Sequence, residues 1–154
     1  MRTSLTALTV LVLLAFAGAT AGLAMASPGH TGTTQVSSTV TARSSAYGRI
    51  LFDGNGRALY AFTRDPRSRS VCSGACAAVW PPFLVSSRPK PAADVVGRLI
   101  GTTRRADGKL QVTYGGRPLY YYVNDRKPGQ VLCQNVKEFG GLWLVVRPSG
   151  RLIR

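Results

Sequence analysis

Two short stretches carry Tyr and Asp residues at a spacing that could form a site. They are "ALYAFTRD" at 58–65 and "PLYYYVND" at 118–125, and both read Tyr-x-aromatic-x-x-Asp. The residues of the motif are Tyr60, Phe62, Asp65, Tyr120, Tyr122 and Asp125. A phenol donates a hydrogen bond that a carboxylate accepts strongly. We therefore interpret each motif as a clamp, in which the Asp holds loop N–H groups or a Tyr hydroxyl while the Tyr ring fills the core.

Two other functions for the same residues are weighed against the clamp. The aromatic rings could form an exposed platform for a ring-shaped ligand, such as a sugar or haem. The two Asp residues could act as a general acid and its partner, but such a pair must lie within a few ångströms. Nothing in the sequence places the two carboxylates together, so the clamp remains the favoured interpretation.

Three cysteines, Cys72, Cys76 and Cys133, form the second group with chemical potential. Cys72 and Cys76 lie four positions apart, a spacing that brings both sulfurs to one side of a helical turn. A structural Cys72–Cys76 disulfide is favoured, with Cys133 as the alternative partner of either residue. A soft-metal or redox carrier is the competing function. Metal sites of this kind need further thiolate, thioether or imidazole ligands, and beyond residue 26 the chain has no Met and only His30. No metal or cofactor is therefore predicted.

Signatures of catalysis are missing from the sequence. No His lies in the expected folded region, and there is no Gly-x-Ser-x-Gly elbow, phosphate loop or zinc-protease helix. We therefore expect a protein that is not an enzyme but a binding or structural module.

The N-terminal residues have the pattern of a secretory signal peptide. Arg2 precedes the apolar run "LTALTVLVLLAFAGATAGLAMA", which ends in a small-x-small site before Ser27. We expect cleavage there, which would leave no stable transmembrane anchor; an uncleaved anchor is the alternative. Residues 27–46, rich in Ser, Thr and Gly, are expected to be a flexible lead-in, with room for one extended strand at 35–41.

The chain is strongly basic. Of 20 Lys and Arg residues only Arg2 lies in the signal segment, and there are six Asp and Glu residues in all. In an exported protein this charge favours anionic partners, such as envelope polymers or lipid headgroups, and no nucleic acid is expected. The candidate contacts flank the two motifs: Arg64, Arg67, Arg69, Arg126 and Lys127. The alternative is that the charge serves solubility alone.

The motifs belong to a longer internal repeat with an offset of sixty residues. Each copy has two β-prone runs joined by residues that accept positive φ, "DGNG" at 53–56 and "GG" at 115–116. We predict a mostly β fold in which two pseudo-symmetric antiparallel β-hairpin repeats, 47–104 and 105–154, form one compact domain. Short helical turns are expected near 73–79 and 92–100, and a final hairpin follows "WLVV".

The sequence resembles a family of secreted or lipoprotein repeats with the signature Tyr-x-(Phe/Trp/Tyr)-x-x-Asp, found in tandem in bacterial envelope proteins. The matching stretches are "GRILFDGNGRALYAFTRD", "CSGACAAVWPPF", "DGKLQVTYGGRPLYYYVNDRKPG" and "GGLWLVV", within 47–147. The resemblance implies an exported two-repeat β domain associated with the cell envelope, and it implies no activity. Two features depart from the family pattern: no Cys follows the signal segment for lipid attachment, and Cys133 occupies a position that is usually another residue.

Overall fold

The computed structural model describes residues 38–154, and these are mostly β, as predicted. The signal peptide expected at 1–26 and the start of the lead-in lie outside the described residues. The strands are β1 (Thr39–Ser45), β2 (Gly48–Asp53), β3 (Tyr60–Phe62), β4 (Leu84–Val85), β5 (Lys90–Pro91), β6 (Ile100–Arg104), β7 (Leu110–Tyr114), β8 (Arg117–Tyr120), β9 (Val136–Glu138) and β10 (Gly141–Val145). Helix α1 (Ala75–Val79) and a 3₁₀ turn (Gly97–Leu99) confirm the two predicted helical turns.

The larger of the two sheets contains strands of both repeats. Its order is β4-β7-β8-β3-β10-β9, and β6 pairs with β7. The motif strand β3 of the first repeat lies antiparallel between β8 and β10, which both belong to the second repeat. The predicted β7–β8 hairpin forms as a strand pair, whereas the first and the final predicted hairpins are each closed by a single bridge, Phe52–Ala58 and Val146–Leu152, and β2 and β3 lie in different sheets. The repeats are joined by strand pairing and do not stand as separate halves.

The smaller sheet, of order β2-β1-β5, includes a strand where a flexible lead-in was expected. Strand β1 pairs antiparallel with β2 along its whole length, and the short β5 runs parallel to it. Val40 and Ala42 alternate into the core, at 0% and 4% exposure. The extended strand allowed at 35–41 agrees with β1 over 39–41, and the expectation of a flexible segment was wrong for residues 42–45. The alternation needs only two small apolar side chains and is hidden in a Ser/Thr-rich composition.

The turn of the first hairpin is built around Asp53, as its "DG" context suggests. Its Oδ1 accepts hydrogen bonds from the amides of Asn55 and Arg57, at 2.9 and 2.8 Å. Gly56 has φ of 85°, and a Cβ there would lie 2.8 Å from the Arg43 guanidinium. A side chain at this position would therefore meet both backbone strain and a close neighbour.

Two cores lie on opposite faces of the motif strands, which follows from the alternation of side chains along a strand. The aliphatic core holds Leu59, Ala61 and Leu119 together with Val112, Phe83 and Val146. The aromatic core holds Tyr60, Phe62, Trp80, Tyr120 and Trp143, with Cys72, Cys76 and Cys133 at its border. Tyr60 and Phe62 therefore face the aromatic core, and Leu59 and Ala61 face the aliphatic core.

Among residues 38–154, no helix is long and apolar enough to cross a lipid bilayer.

Candidate functional site

The two motif tyrosines face each other across neighbouring strands. Tyr60 of β3 and Tyr120 of β8 are direct partners in the antiparallel register, so their side chains share one face. The Tyr60 hydroxyl donates to Asp125 Oδ2 at 2.6 Å, and the Tyr120 hydroxyl donates to Asp65 Oδ2 at 2.6 Å. Each Asp thus binds the Tyr of the other repeat. We call these four residues the crossed clasp.

The second carboxylate oxygen of each Asp holds its own loop. Asp65 Oδ1 accepts from the Val71 amide at 2.8 Å, and Asp125 Oδ1 accepts from the Leu132 amide at 3.0 Å. We call residues 63–73 the first motif loop and residues 123–134 the second motif loop. The clamp interpretation is right in both of its parts, since each Asp binds a Tyr hydroxyl and a loop amide.

The tips of the motif loops also cross between repeats. The Ser68 amide donates to the Gly116 carbonyl at 2.6 Å, and the Gly129 amide donates to the Gly56 carbonyl at 2.8 Å. Gly56 and Gly116 are equivalent residues in the two hairpin turns. Each motif loop therefore closes over the hairpin turn of the opposite repeat.

Burial decides the protonation of the crossed clasp. It raises the pKa of the Tyr60 and Tyr120 hydroxyls, and the facing carboxylates raise it further. Burial also raises the pKa of Asp65 and Asp125, although the Tyr hydroxyls and loop amides favour the charged carboxylate and offset part of this effect. The phenols stay protonated as hydrogen-bond donors, which suits them to holding the repeats together and not to acting as bases.

A stack of four aromatic rings lies beside the crossed clasp. Its order is Phe62, Trp143, Trp80 and Tyr122, with centroid separations of 4.3, 4.0 and 4.9 Å. Tyr60 packs edge-on against Trp80, at 5.3 Å and 76°, and Tyr120 packs edge-on against Trp143, at 5.1 Å and 90°. We call the four rings the aromatic stack. Its symmetry matches that of the clasp, and both Trp residues are fully buried.

The burial of these rings excludes the exposed aromatic platform at the two motif tyrosines. Tyr60 and Tyr120 are fully buried, and Phe62 is 3% exposed. Tyr122, at one end of the aromatic stack, is the partly exposed ring of the motif, and its hydroxyl accepts from Asn124 Nδ2 at 3.1 Å.

The cysteines break the symmetry of the motif loops. Cys72 and Cys76 are disulfide-bonded, with Cα atoms 5.3 Å apart, while Cys133 is a buried free thiol. The favoured pairing is confirmed, and the alternative partner Cys133 is wrong. Cys72 and Cys133 each follow the residue whose amide binds the motif Asp, so they are equivalent positions; burial raises the pKa of the Cys133 thiol. No cluster of three or more His, Cys, Asp or Glu residues with metal-binding geometry occurs in the part of the chain described here.

The five candidate basic residues are exposed on the motif loops. Arg64 Nη1 donates to the Phe139 carbonyl at 3.2 Å, and the Arg67 guanidinium covers Gly116 in the second hairpin turn. Arg126 and Lys127 precede Gly129, which binds the first hairpin turn. The loops contact different turns, so their bases form two equivalent patches and not a single one.

One charged residue of the site, Arg105, was missed by sequence reasoning. Its Nη1 donates to Ser70 Oγ at 2.7 Å and to Gln111 Oε1 at 2.6 Å, and its Nη2 donates to the Cys72 carbonyl at 2.7 Å. Ser70 Oγ lies 2.7 Å from the Tyr120 hydroxyl, which connects Arg105 to the clasp. Nothing in the sequence distinguishes Arg105 from the exposed Arg104 beside it, because burial depends on the register of β6 against β7.

The repeat assignment agrees with a comparison against protein families. A family model described as a secreted repeat of unknown function matches residues 41–83 and 101–147, one match for each copy of the motif. The chain belongs to this family of secreted repeats. The resemblance inferred from the motifs is thereby confirmed, and each matched stretch of the secreted repeat contains one Tyr and one Asp of the crossed clasp. Comparisons with curated proteins and with solved structures gave no match.

Removing a clasp hydroxyl is expected to lower stability without unfolding the protein. Tyr60→Phe leaves the buried Asp125 with only its loop amide, and a hydrogen bond to a charged group contributes about 1.5–3 kcal/mol. Tyr120→Phe is expected to cost less, because Asp65 is only partly buried. Urea unfolding followed by fluorescence measures both. Tyr47→Phe, at an exposed position, serves as the control, and equal stability of Tyr60→Phe and this control would contradict the role of the clasp.

Proposed function

We propose that this secreted repeat protein is a non-enzymatic binding module that holds an anionic polymer of the cell envelope on the exposed bases of its motif loops. The observation that carries the proposal is an imbalance of surface charge. Sixteen Lys and Arg residues of the described chain are exposed, against two of the six acidic residues, Asp94 and Asp107. Such a surface attracts polyanions over the range of a Debye length.

The acidic residues have internal partners, which is why they do not neutralise the surface. Asp53, Asp65 and Asp125 accept backbone amides and Tyr hydroxyls. Glu138 accepts from Trp80 Nε1 at 2.8 Å. The two exposed carboxylates lie beside Arg49 and Arg105, which are the two ion pairs among residues 38–154. The bases of the motif loops have no carboxylate within ion-pair distance in this part of the chain.

The motif loops present these bases in a fixed arrangement. Each loop is bound at its tip to a hairpin turn, at its end to a motif Asp, and through that Asp to a Tyr of the other repeat. Little loop entropy remains to be lost on binding, which favours affinity. Repeat symmetry gives two such patches, so a long polymer could engage both and gain from their linkage.

Replacing loop bases is expected to weaken retention on purified cell wall while leaving the melting temperature nearly unchanged. The variant carries Arg64→Ser, Arg67→Ser, Arg126→Ser and Lys127→Ser. Four exposed contacts of a few tenths of a kcal/mol each sum to about 1.4 kcal/mol, or about a tenfold loss of affinity. Retention is measured by co-sedimentation across a series of NaCl concentrations, and wild-type affinity should fall steeply with salt.

A control variant with the same change of charge tests whether position matters. It carries Arg98→Ser, Lys109→Ser, Arg151→Ser and Arg154→Ser, four exposed bases outside the motif loops. If both variants lose the same amount of wall affinity, net charge alone accounts for the binding and the position of the bases does not matter. Wall retention that persists in the loop variant would overturn the proposal, and binding to anionic lipid vesicles without binding to wall polymer would assign the surface to lipid headgroups.

A further inference from the structure

We propose that the cavity between the first motif loop and the β6–β7 turn is a subsite for a carboxylate group, with the Nε–H of Arg105 as its principal donor. The inference rests on the proposed function in that the carboxylate would belong to an anionic envelope ligand. The cavity has a volume of about 540 Å³ and is lined by residues 70–73 on one side and 105–107 on the other. No part of it belongs to the crossed clasp itself.

The Arg105 side chain is buried in the wall of this cavity and is held in place by hydrogen bonds. Its side chain is 7% exposed. Three hydrogen bonds from Nη1 and Nη2, to Ser70, Gln111 and the Cys72 carbonyl, fix the plane of the guanidinium. These bonds use three of the five N–H groups and leave the Nε–H and one Nη2–H. A guanidinium held in this way presents its Nε–H in a defined direction, as carboxylate recognition requires.

The Nε–H of Arg105 has no hydrogen-bond partner. Arg105 Nε and Trp143 Nε1 are the two buried side-chain polar atoms of residues 38–154 that have no hydrogen-bond partner. A buried charged group without its full set of partners is costly, and native structures rarely leave one. The indole of Trp143 is enclosed in the aromatic stack, whereas Arg105 borders an open cavity. The Arg105 Nε–H is therefore the unsatisfied donor that lies beside the cavity, and because the Nε atom itself is buried, a ligand reaches it only when the side chains that cover it move aside.

A resident carboxylate stands at the edge of the cavity without satisfying this donor. Asp107 Oδ2 lies 3.8 Å from Arg105 Nε, which is beyond hydrogen-bond distance. Its Oδ1 accepts from the Lys109 amide within the turn, at 3.1 Å, and its side chain is 47% exposed. The turn thus holds Asp107 back from the donor while keeping a negative charge beside it. An incoming carboxylate would gain the Nε–H but would be repelled by Asp107.

The other walls of the cavity suit the neighbours of a carboxylate in a sugar acid or at the end of a peptide. Ser73 is exposed and brings a hydroxyl, and Val71, 44% exposed, brings an aliphatic surface. Both ligand sources share the carboxylate, so glucuronate and N-acetylalanine are the probes that separate them. Inorganic phosphate tests whether any small oxyanion suffices.

The subsite is connected to the fold through Ser70, which contacts both Arg105 and the Tyr120 hydroxyl. A ligand on Arg105 would strengthen a hydrogen-bond network that ends at Asp65 of the crossed clasp. Binding is therefore expected to raise the melting temperature, as it does for any ligand that favours the folded state.

The test follows the Nε–Hε resonance of Arg105 by NMR while the full mature chain is titrated with sodium acetate, against NaCl at equal ionic strength. A saturable shift of this resonance with acetate is expected. Asp107→Asn removes the competing charge and should tighten acetate binding by about fivefold. Asp94→Asn removes the same charge at the Arg49 ion pair and should leave acetate affinity unchanged.

Three results would overturn the subsite. They are a shift that grows without saturation, a response to chloride of the same size, and an Asp107→Asn variant with wild-type acetate affinity. Arg105→Lys removes the Nε–H and should abolish the saturable response. If this variant does not fold, the acetate affinity of the Asp107→Asn variant is the deciding measurement. The proposed function and the subsite can fail separately. If the variant without the four loop bases is still retained on cell wall, the proposed function is wrong. If the protein nevertheless binds acetate saturably, the subsite stands.

Discussion

Neither repeat is expected to fold when it is produced alone. A segment of residues 38–99 leaves β3 with neither of its neighbours in the larger sheet, since β8 and β10 come from the second repeat. A segment of residues 100–154 keeps the β7–β8 hairpin and β10 but loses the strand that joins them. Each segment also keeps one Tyr and one Asp of the crossed clasp without their partners. The loss is therefore the whole free energy of folding, typically about 5–15 kcal/mol for a domain.

Mixing the two segments is expected to restore the fold. Near-ultraviolet circular dichroism, which reports the ordered aromatic rings, measures folding of each segment and of their mixture. A full chain cleaved after folding between Ser86 and Ser87, in the connection between β4 and β5, is the control and should remain folded. A cooperative thermal transition of either segment alone would contradict the interleaved architecture.

Truncation of a Trp residue in the aromatic stack is expected to cause the largest loss among single substitutions. Trp143 and Trp80 are both fully buried and stack on each other at 4.0 Å. Removing a buried Trp side chain costs about 3–5 kcal/mol through lost burial and the cavity it leaves. Trp143→Ala and Trp80→Ala should both approach the limit of stability of the protein.

Substitution by Phe is expected to have different effects on stability at Trp80 and at Trp143. Trp80 Nε1 donates to Glu138, while Trp143 Nε1 has no partner within residues 38–154. Trp80→Phe therefore loses a hydrogen bond and strands a carboxylate, whereas Trp143→Phe removes a buried donor that was never satisfied. In urea unfolding, Trp80→Phe should be less stable than Trp143→Phe by about 1–3 kcal/mol. The reverse order would show that the Glu138 contact does not stabilise the fold.

The repeat and its periodicity were sufficient to predict the fold class. Glycines at the turns and β-prone runs beside them specify hairpins locally. The Cys72–Cys76 pairing was also accessible, because four residues of separation permit bonding within one turn. Strand β1 could not be predicted over its full length. Its only apolar signal is Val40 and Ala42 among polar residues, and the strand is formed by pairing with β2.

The sequence alone could not predict which Tyr binds which Asp. The spacing of Tyr60 and Asp65 is the same as that of Tyr120 and Asp125, so bonds within a repeat and between repeats are equally compatible with it. Only the pairing of β3 with β8 brings Tyr60 to Asp125. Arg105 and Glu138 illustrate the same limit, because Arg105 binds the Cys72 carbonyl 33 residues away and Glu138 binds Trp80 58 residues away along the chain.

The reciprocal pattern of the clasp has a consequence for how such a chain can change. The Tyr–Asp hydrogen bond and the loop-tip hydrogen bond that the first repeat makes are each returned by the second, which is the relation between the subunits of an isologous dimer. A single repeat of this kind could satisfy its Tyr and Asp only against a second copy of itself. Joining both copies in one chain removes the requirement that they be identical. One half can then carry a disulfide at Cys72, and the other a buried Arg105, a free Cys133 and a Glu138 that accepts a hydrogen bond from Trp80 of the first half, on a common scaffold.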